Sequence, residues 1–460
     1  MRYPWILALT VCTALVSPAH ISAAQAETLT DALAAAYEGN PDIEAARAEL
    51  RAIDEGVAQA RGGWRPRADA VGSISRSDTE QLSTVRGFPE RRDTTLTGKS
   101  ASIAVEQPIF RGFRTVNETR QAKNRVYAGR ENLEQTESDV LLEAVTAYMD
   151  VTRDQAVLEL NRNNVQVLQR QLEASQDRFR VGEITRTDVA QSEARLSRAI
   201  SDRIQAEAQL VASRSRFNRV VGFMPGTLAP VTTLPELPES EEAALEIALA
   251  ENPRLNAVRF NERASANAIG VAKSGLLPEI SLRAEYGRDW DTSVFTPEST
   301  RKQITAQLRI PLYEAGIQSS LVREARQVNN QYRLLIVSAE RQVMENTRNA
   351  WEALREARSR IQSNREQVRA NEIALEGVRQ EADVGARTTL DVLDAEQELL
   401  DSRVALVTAE RDAVVAAYAL LAALGRLNAE YLDLPVERYD PARNYERVSD
   451  KIWGWGIEDE

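Results

Sequence analysis

The chain carries one unit twice, and the copies align almost without gaps through most of the 460 residues. Asp31, Ala32 and Leu33 with Asn40-Pro41 recur as Ala243, Ala244 and Leu245 with Asn252-Pro253, an offset of 212. That offset holds through Ala45 and Ala257, Ala60 and Ala272, Gly63 and Gly275, and Pro66 and Pro278. From Pro108 and Pro311 it becomes 203 and runs through Val181-Gly182 and Val384-Gly385 to Asp188, Glu193 and Leu196 against Asp391, Glu396 and Leu399. The interval from Pro66 to Pro108 is 42 residues and its counterpart 33, so all the length variation falls in one place, as a tolerant surface loop allows. A chain written this way reads as two equivalent supersecondary units: residues 27–222 and 239–427, joined by a proline-rich linker at 223–238 and followed by a tail at 428–460.

Each copy has the same internal order. A short helix runs to Asn-Pro, where proline suits a helix start, and a second helix continues toward Pro66 or Pro278. Strands are then expected at about 68–78 and 97–108, and at about 279–288 and 302–311. In the second copy Ile280, Leu282, Ala284 and Tyr286 alternate with Glu279, Ser281, Arg283 and Glu285. Ile304, Ala306, Leu308 and Ile310 alternate likewise with Gln303, Thr305, Gln307 and Arg309. Period two over about ten residues suits a tilted membrane-spanning strand, although a half-buried soluble sheet has the same period. The intervening polar stretches, 78–95 and 289–301, read as long loops. Aromatic residues mark the strand ends: Trp64, Phe110 and Tyr313 beside the prolines, and Tyr286, Trp290 and Phe295 toward the other side, like two interfacial girdles.

Beyond each strand pair a helical pattern begins, expected at 112–180 and 314–382. In the second copy Leu321, Ala325, Val328, Tyr332, Leu335, Ala339 and Val343 step by three and four, the spacing of coiled-coil packing. At 1.5 Å per residue such a helix is on the order of 100 Å long, several bilayer thicknesses, so most of it must project into water. A Val-Gly turn reverses the chain, and a return helix is expected at 186–221 and at 388–424.

The chain start excludes much chemistry. Arg2, an apolar run at 5–16 and Ala24-Gln25-Ala26 form the three parts of a secretory signal, expected to be removed as residues 1–26. That segment holds the one cysteine, Cys12, and the one histidine, His20. The mature chain is then without either, which removes Ser-His-Asp and Cys-His catalysis, thiolate zinc sites and disulfides; no enzyme, cofactor or metal site is expected. It keeps 56 basic against 69 acidic side chains, a net charge of −13 that disfavours nucleic acid as a partner. Its longest apolar stretch, 413–424, has 12 residues, too few for a spanning helix. Any membrane crossing is therefore by strands.

Strands cross lipid only as a closed barrel, and single-chain barrels start at about eight strands. Four strands per chain require several chains, two or three being the small options. The duplicated Asn-Pro, the strand ends Gln107-Pro108-Ile109-Phe110 and Pro311-Leu312-Tyr313, and the Val-Gly turns followed by Asp188-Val189 and Asp391-Val392-Leu393-Asp394 resemble the TolC-type outer-membrane efflux proteins. The resemblance covers nearly the whole mature chain. It implies a mainly α fold with a β-barrel portion: a homotrimer with a 12-stranded barrel in outer-membrane lipid and a 12-helix periplasmic tunnel. It also implies docking to an inner-membrane transporter through a periplasmic adaptor protein, for export of secreted protein or of drugs. The tail, expected to be periplasmic, resembles around Tyr439-Asp440-Pro441 and Trp453-Gly454-Trp455 members that serve type I protein secretion. A structural periplasmic coiled-coil or adaptor protein without a pore is the alternative.

At the hairpin tips, Thr185 with Asp188 and Thr388 with Asp391 fit helix capping boxes. Asp394 lies one turn beyond the second box, so capping does not account for it. By resemblance, Asp391 and Asp394 line the periplasmic constriction, and Arg387 bonds across to the neighbouring hairpin near Thr187 and Asp188. Ala382 stands where the family has a tyrosine that helps to latch its gate. Gly182 and Gly385, at the two reversals, are the expected points of partner docking.

Overall fold

A computed structural model describes residues 27–85, 87–231 and 233–457; the expected signal segment, with Cys12 and His20, lies outside the described residues. Helix α1 (Leu29–Gly39) is started by a Thr28–Asp31 capping box and stops at Asn40. Asn40 caps α2 (Pro41–Arg61), and a single 3-10 turn, Gly62–Trp64, leads into strand β1 (Arg67–Val85). Strand β2 (Phe88–Arg111) returns, and α3 (Arg114–Arg180) and α4 (Arg186–Val221) form the first long hairpin. The second copy repeats this as α5 (Glu241–Glu251), α6 (Pro253–Ser274), β3 (Glu279–Ser293), β4 (Thr296–Arg309), α7 (Ile317–Asp383) and α8 (Thr389–Leu424). A short α9 (Pro441–Val448) lies in the tail. Helices α3 and α7 each have 67 residues, and α4 and α8 each have 36, so the two hairpins reach equally far.

The four strands form one antiparallel sheet in the order β1-β2-β3-β4. Its register puts Ala70, Ile103 and Tyr286 in one row, and Ala68, Val105, Ala284 and Ile304 in the next. Directly opposed residues share a face, so these rows make one face apolar. The other face carries Asp69, Glu106, Arg283, Glu285, Gln303 and Thr305. In the protomer the apolar face is bare: Ile103, Ile304 and Leu308 are exposed. No helix among the described residues is long and apolar enough to cross a membrane.

The strands run further than expected. Residues 78–95, read as a polar loop, continue the ladder through Thr79 opposite Thr94 and Glu80 opposite Asp93 to Val85 opposite Phe88, with Gly87 at φ 88° in the reversal. Residues 289–301 likewise belong mostly to β3 and β4, which close at Ser293 and Thr296. Polarity marks a loop only where one strand face must be buried; a ribbon wetted on both faces carries Ser, Thr, Asp and Arg without penalty. The nine extra residues of the first copy thus lengthen a ribbon.

Each long helix starts slightly later than expected, after two consecutive left-handed residues: Gly112 and Phe113 before α3, Ala315 and Gly316 before α7. These pivots turn the chain from strand to tunnel. Gly112 has no substitute there, because a Cβ would come within 2.7 Å of the Ser274 carbonyl.

The largest buried cluster lies mid-way along the long helices, where Leu33, Tyr148, Phe217, Leu255 and Leu421 meet. Tyr148 donates its hydroxyl hydrogen bond toward the carbonyls of Ala229, at 2.6 Å, and Glu27, at 2.9 Å, drawing the linker and the start of the described chain onto this belt.

Candidate entrance at the hairpin tips

Both hairpins reverse by the same device. At the first, the Glu183 amide donates to the Arg178 carbonyl at 2.9 Å and the Gly182 amide to Phe179 at 3.0 Å. At the second, Ala386 donates to Glu381 at 2.8 Å and Gly385 to Ala382 at 3.1 Å. This is the Schellman closure of a helix end, and it requires the left-handed backbone of Gly182 (φ 81°) and Gly385 (φ 77°). A Cβ at either glycine would meet nothing within 4 Å, so inside the protomer backbone conformation, not space, demands glycine.

The return helices start in the two capping boxes legible in the sequence. Asp188 Oδ2 accepts from the Thr185 amide at 2.9 Å and hydroxyl at 2.8 Å, and Asp391 Oδ2 accepts from Thr388 at the same two distances. The Thr388 amide, then its hydroxyl, with Arg387 adding to them, hold the Asp391 carboxyl below the usual carboxylate range. The Arg387 guanidinium bonds Glu381 Oε2 of its own hairpin at 2.8 Å, and that carboxylate raises its pKa. Thr187 is exposed and Ala382 half-buried. Among the described residues of the protomer, Arg387 pairs with Glu381 rather than with Thr187 and Asp188 of the neighbouring hairpin, the contact the resemblance implies.

Asp394 is held across the two copies. It forms an ion pair with Arg195 of α4, while the preceding Leu393 is buried against Leu168 and Ala199 of the first hairpin. Nearer the tip, Arg178 of α3 lies 3.7 Å from Asp383. Reading the sequence residue by residue missed Arg195, Arg178 and Glu381. The signal was in the repeat: at the offset of 203, Arg178 stands opposite Glu381, Arg180 opposite Asp383 and Arg195 opposite Glu398. The copies have diverged to opposite charge at these three positions, although Arg195 itself pairs with Asp394, the counterpart of the neutral Gln191.

Residues 32–222 and 244–426 match the family described as outer membrane efflux protein. The outer membrane efflux protein BepC of Brucella suis is 37% identical over 434 residues, covering 94% of this chain and 92% of that one. The outer membrane protein TolC of Vibrio cholerae is 28% identical over 424 residues, covering 89% and 93%. Among solved structures, the Campylobacter jejuni CmeC outer membrane channel superposes with a TM-score of 0.77 at 16% identity, covering 92% of this chain and 89% of that one, a likeness of fold.

Proposed function

The chain belongs to the outer membrane efflux protein family and is an outer-membrane export channel with a periplasmic tunnel, and from that premise we propose a homotrimer entered between its hairpin tips. The observation that carries the proposal is the protomer sheet: β1 and β4 are open edges, and one face is apolar and bare. Open edges cannot persist in lipid, so they pair with the edges of neighbouring protomers. Three sheets close a barrel of 12 strands, its apolar face against lipid and its charged face lining the lumen. The equal hairpins place six tips at one level, Gly182 and Gly385 among them, for a periplasmic adaptor and an inner-membrane transporter to engage.

At that level Asp391 and Asp394 form the entrance ring, with Arg387 reaching Thr187 and Asp188 of the next hairpin. Rings of carboxylates concentrate cations in a narrow pore. The test is single-channel recording on the purified mature protein: trimers that conduct are expected, and a monomer that stays soluble without detergent sinks the channel. On the same channels Asp394→Ala is expected to lower cation selectivity and weaken block by trivalent cations. Unchanged reversal potential and block in a normally assembled variant would reduce Asp394 to an ordinary helix-surface charge.

A further inference from the structure

We propose that the C-terminal segment after α9 is an interfacial membrane anchor, laying Trp453 and Trp455 into the phospholipid leaflet at the periplasmic rim of the barrel. These two side chains are 88% and 95% exposed, and Ile452 and Ile457 beside them are 78% and 81% exposed. Four large apolar groups within six residues are costly to leave in water, and tryptophan favours the membrane–water boundary, where its ring is buried and its N–H stays wet.

The segment is tied down at that boundary. Helix α9 is fastened to α2 by Asn444, which donates to Asp54 Oδ2 at 2.9 Å, and Arg130 lies over the Tyr445 ring. Arg61 then donates to the Ser449 carbonyl at 3.1 Å and pairs with Asp450. Arg65 donates to the carbonyls of Lys451 at 2.7 Å and Asp450 at 3.2 Å. Arg65 is two residues before β1, so the chain is held where the strands enter lipid. From there, residues 452–457 reach at most about 20 Å, enough to lie along the rim.

The side is set as well. Arg61, Trp64, Arg65 and Asp450 line one cleft, with the basic Arg120 and Lys123. Arg67 lines a different one with Glu106, Glu279 and Arg309, on the charged face of the sheet. Gln107, in step with Ile103 and Val105 on the apolar face, donates to the Trp64 carbonyl at 2.9 Å, so the tail in the Trp64 cleft lies toward the lipid side, and the basic groups around it suit lipid phosphates.

The mature chain has tryptophan at 64, 290, 351, 453 and 455. With Trp64, Trp290 and Trp351 replaced by Phe, trimers are reconstituted into phosphatidylethanolamine–phosphatidylglycerol vesicles. The expected result is blue-shifted emission quenched by acyl-chain-brominated lipid and little by aqueous iodide. Quenching by iodide alone overturns the proposal in favour of a solvated tail; blue-shifted emission quenched by neither overturns it in favour of cover by a second copy. If the triple variant fails to assemble, a polarity-sensitive dye on Ile457→Cys, the single thiol of the mature chain, is read against the same two quenchers. Conductance of each preparation is recorded in parallel, so that failure of the anchor and failure of the channel are told apart.

Discussion

The two hairpins are equal in every feature that sets length and unequal in the features that set contact. Helices of 67 and 36 residues, a Schellman turn and a Thr–Asp capping box occur in both. Level tips require that equality, because one residue more in either long helix would move its tip by about 1.5 Å. Yet the first tip presents Arg178, Arg180 and Arg195 where the second presents Glu381, Asp383 and Glu398. Where equivalent or nearly equivalent positions of the two copies approach each other, identical charges would repel. Asp383 stands where the first copy has Arg180 and lies near Arg178, while Arg195 pairs with Asp394, the counterpart of the neutral Gln191.

The same contrast appears in packing, and it yields the largest expected effect. Leu393 is 2% exposed, whereas its counterpart in the first copy is the exposed Ala190. Leu393→Ala is expected to cost roughly 2–5 kcal/mol, as for other buried leucines, and to loosen the second hairpin from the first. Denaturant unfolding of the purified protein measures it; a cost no greater than that of a surface substitution would mean that the two hairpins pack alike.

The turns should instead behave alike. Gly182→Ala and Gly385→Ala each force a side chain into the left-handed region at roughly 1–2 kcal/mol. If loss of adaptor crosslinking always accompanies loss of assembly, the glycines serve the turn alone. Loss of crosslinking from an intact trimer would assign them to docking.

Capping gives a smaller and equally symmetric effect: Thr185→Ala and Thr388→Ala each cost about 1 kcal/mol. At the second box there is also a pH signature. Asp391 titrates lower in the folded chain, so its contribution is complete above the unfolded carboxylate pKa and is lost as pH falls through the folded value. Thr388→Ala should therefore flatten stability against pH in the acid range; an unchanged acid limb contradicts the cap.

The smallest stability effect belongs to the ion pair joining the copies, since exposed pairs contribute up to about 1 kcal/mol. Arg195→Glu should nevertheless raise cation selectivity measurably by freeing Asp394 and adding a carboxylate beside it. Exchanging the two charges, Arg195→Asp with Asp394→Arg, should restore the cross-hairpin pair. Selectivity indifferent to Arg195→Glu would place this pair outside the conduction path.

The repeat, the Asn-Pro helix starts, the period-two strands, both capping boxes and the equal helix lengths are all legible in the sequence. The starts, strands and boxes are local patterns, decided by backbone geometry or by the burial of a single face, and the repeat and the equal lengths follow from comparing the two copies. The polar ribbon at 78–95 was not legible, because a strand wetted on both faces leaves no hydrophobic alternation. Nor was the Arg195–Asp394 pair, whose members lie 199 residues apart. A sequence specifies the charge on each helix, but which charges meet depends on how the helices pack. Leu393 settling against Leu168 and Ala199 decides that, and only the tertiary structure contains it.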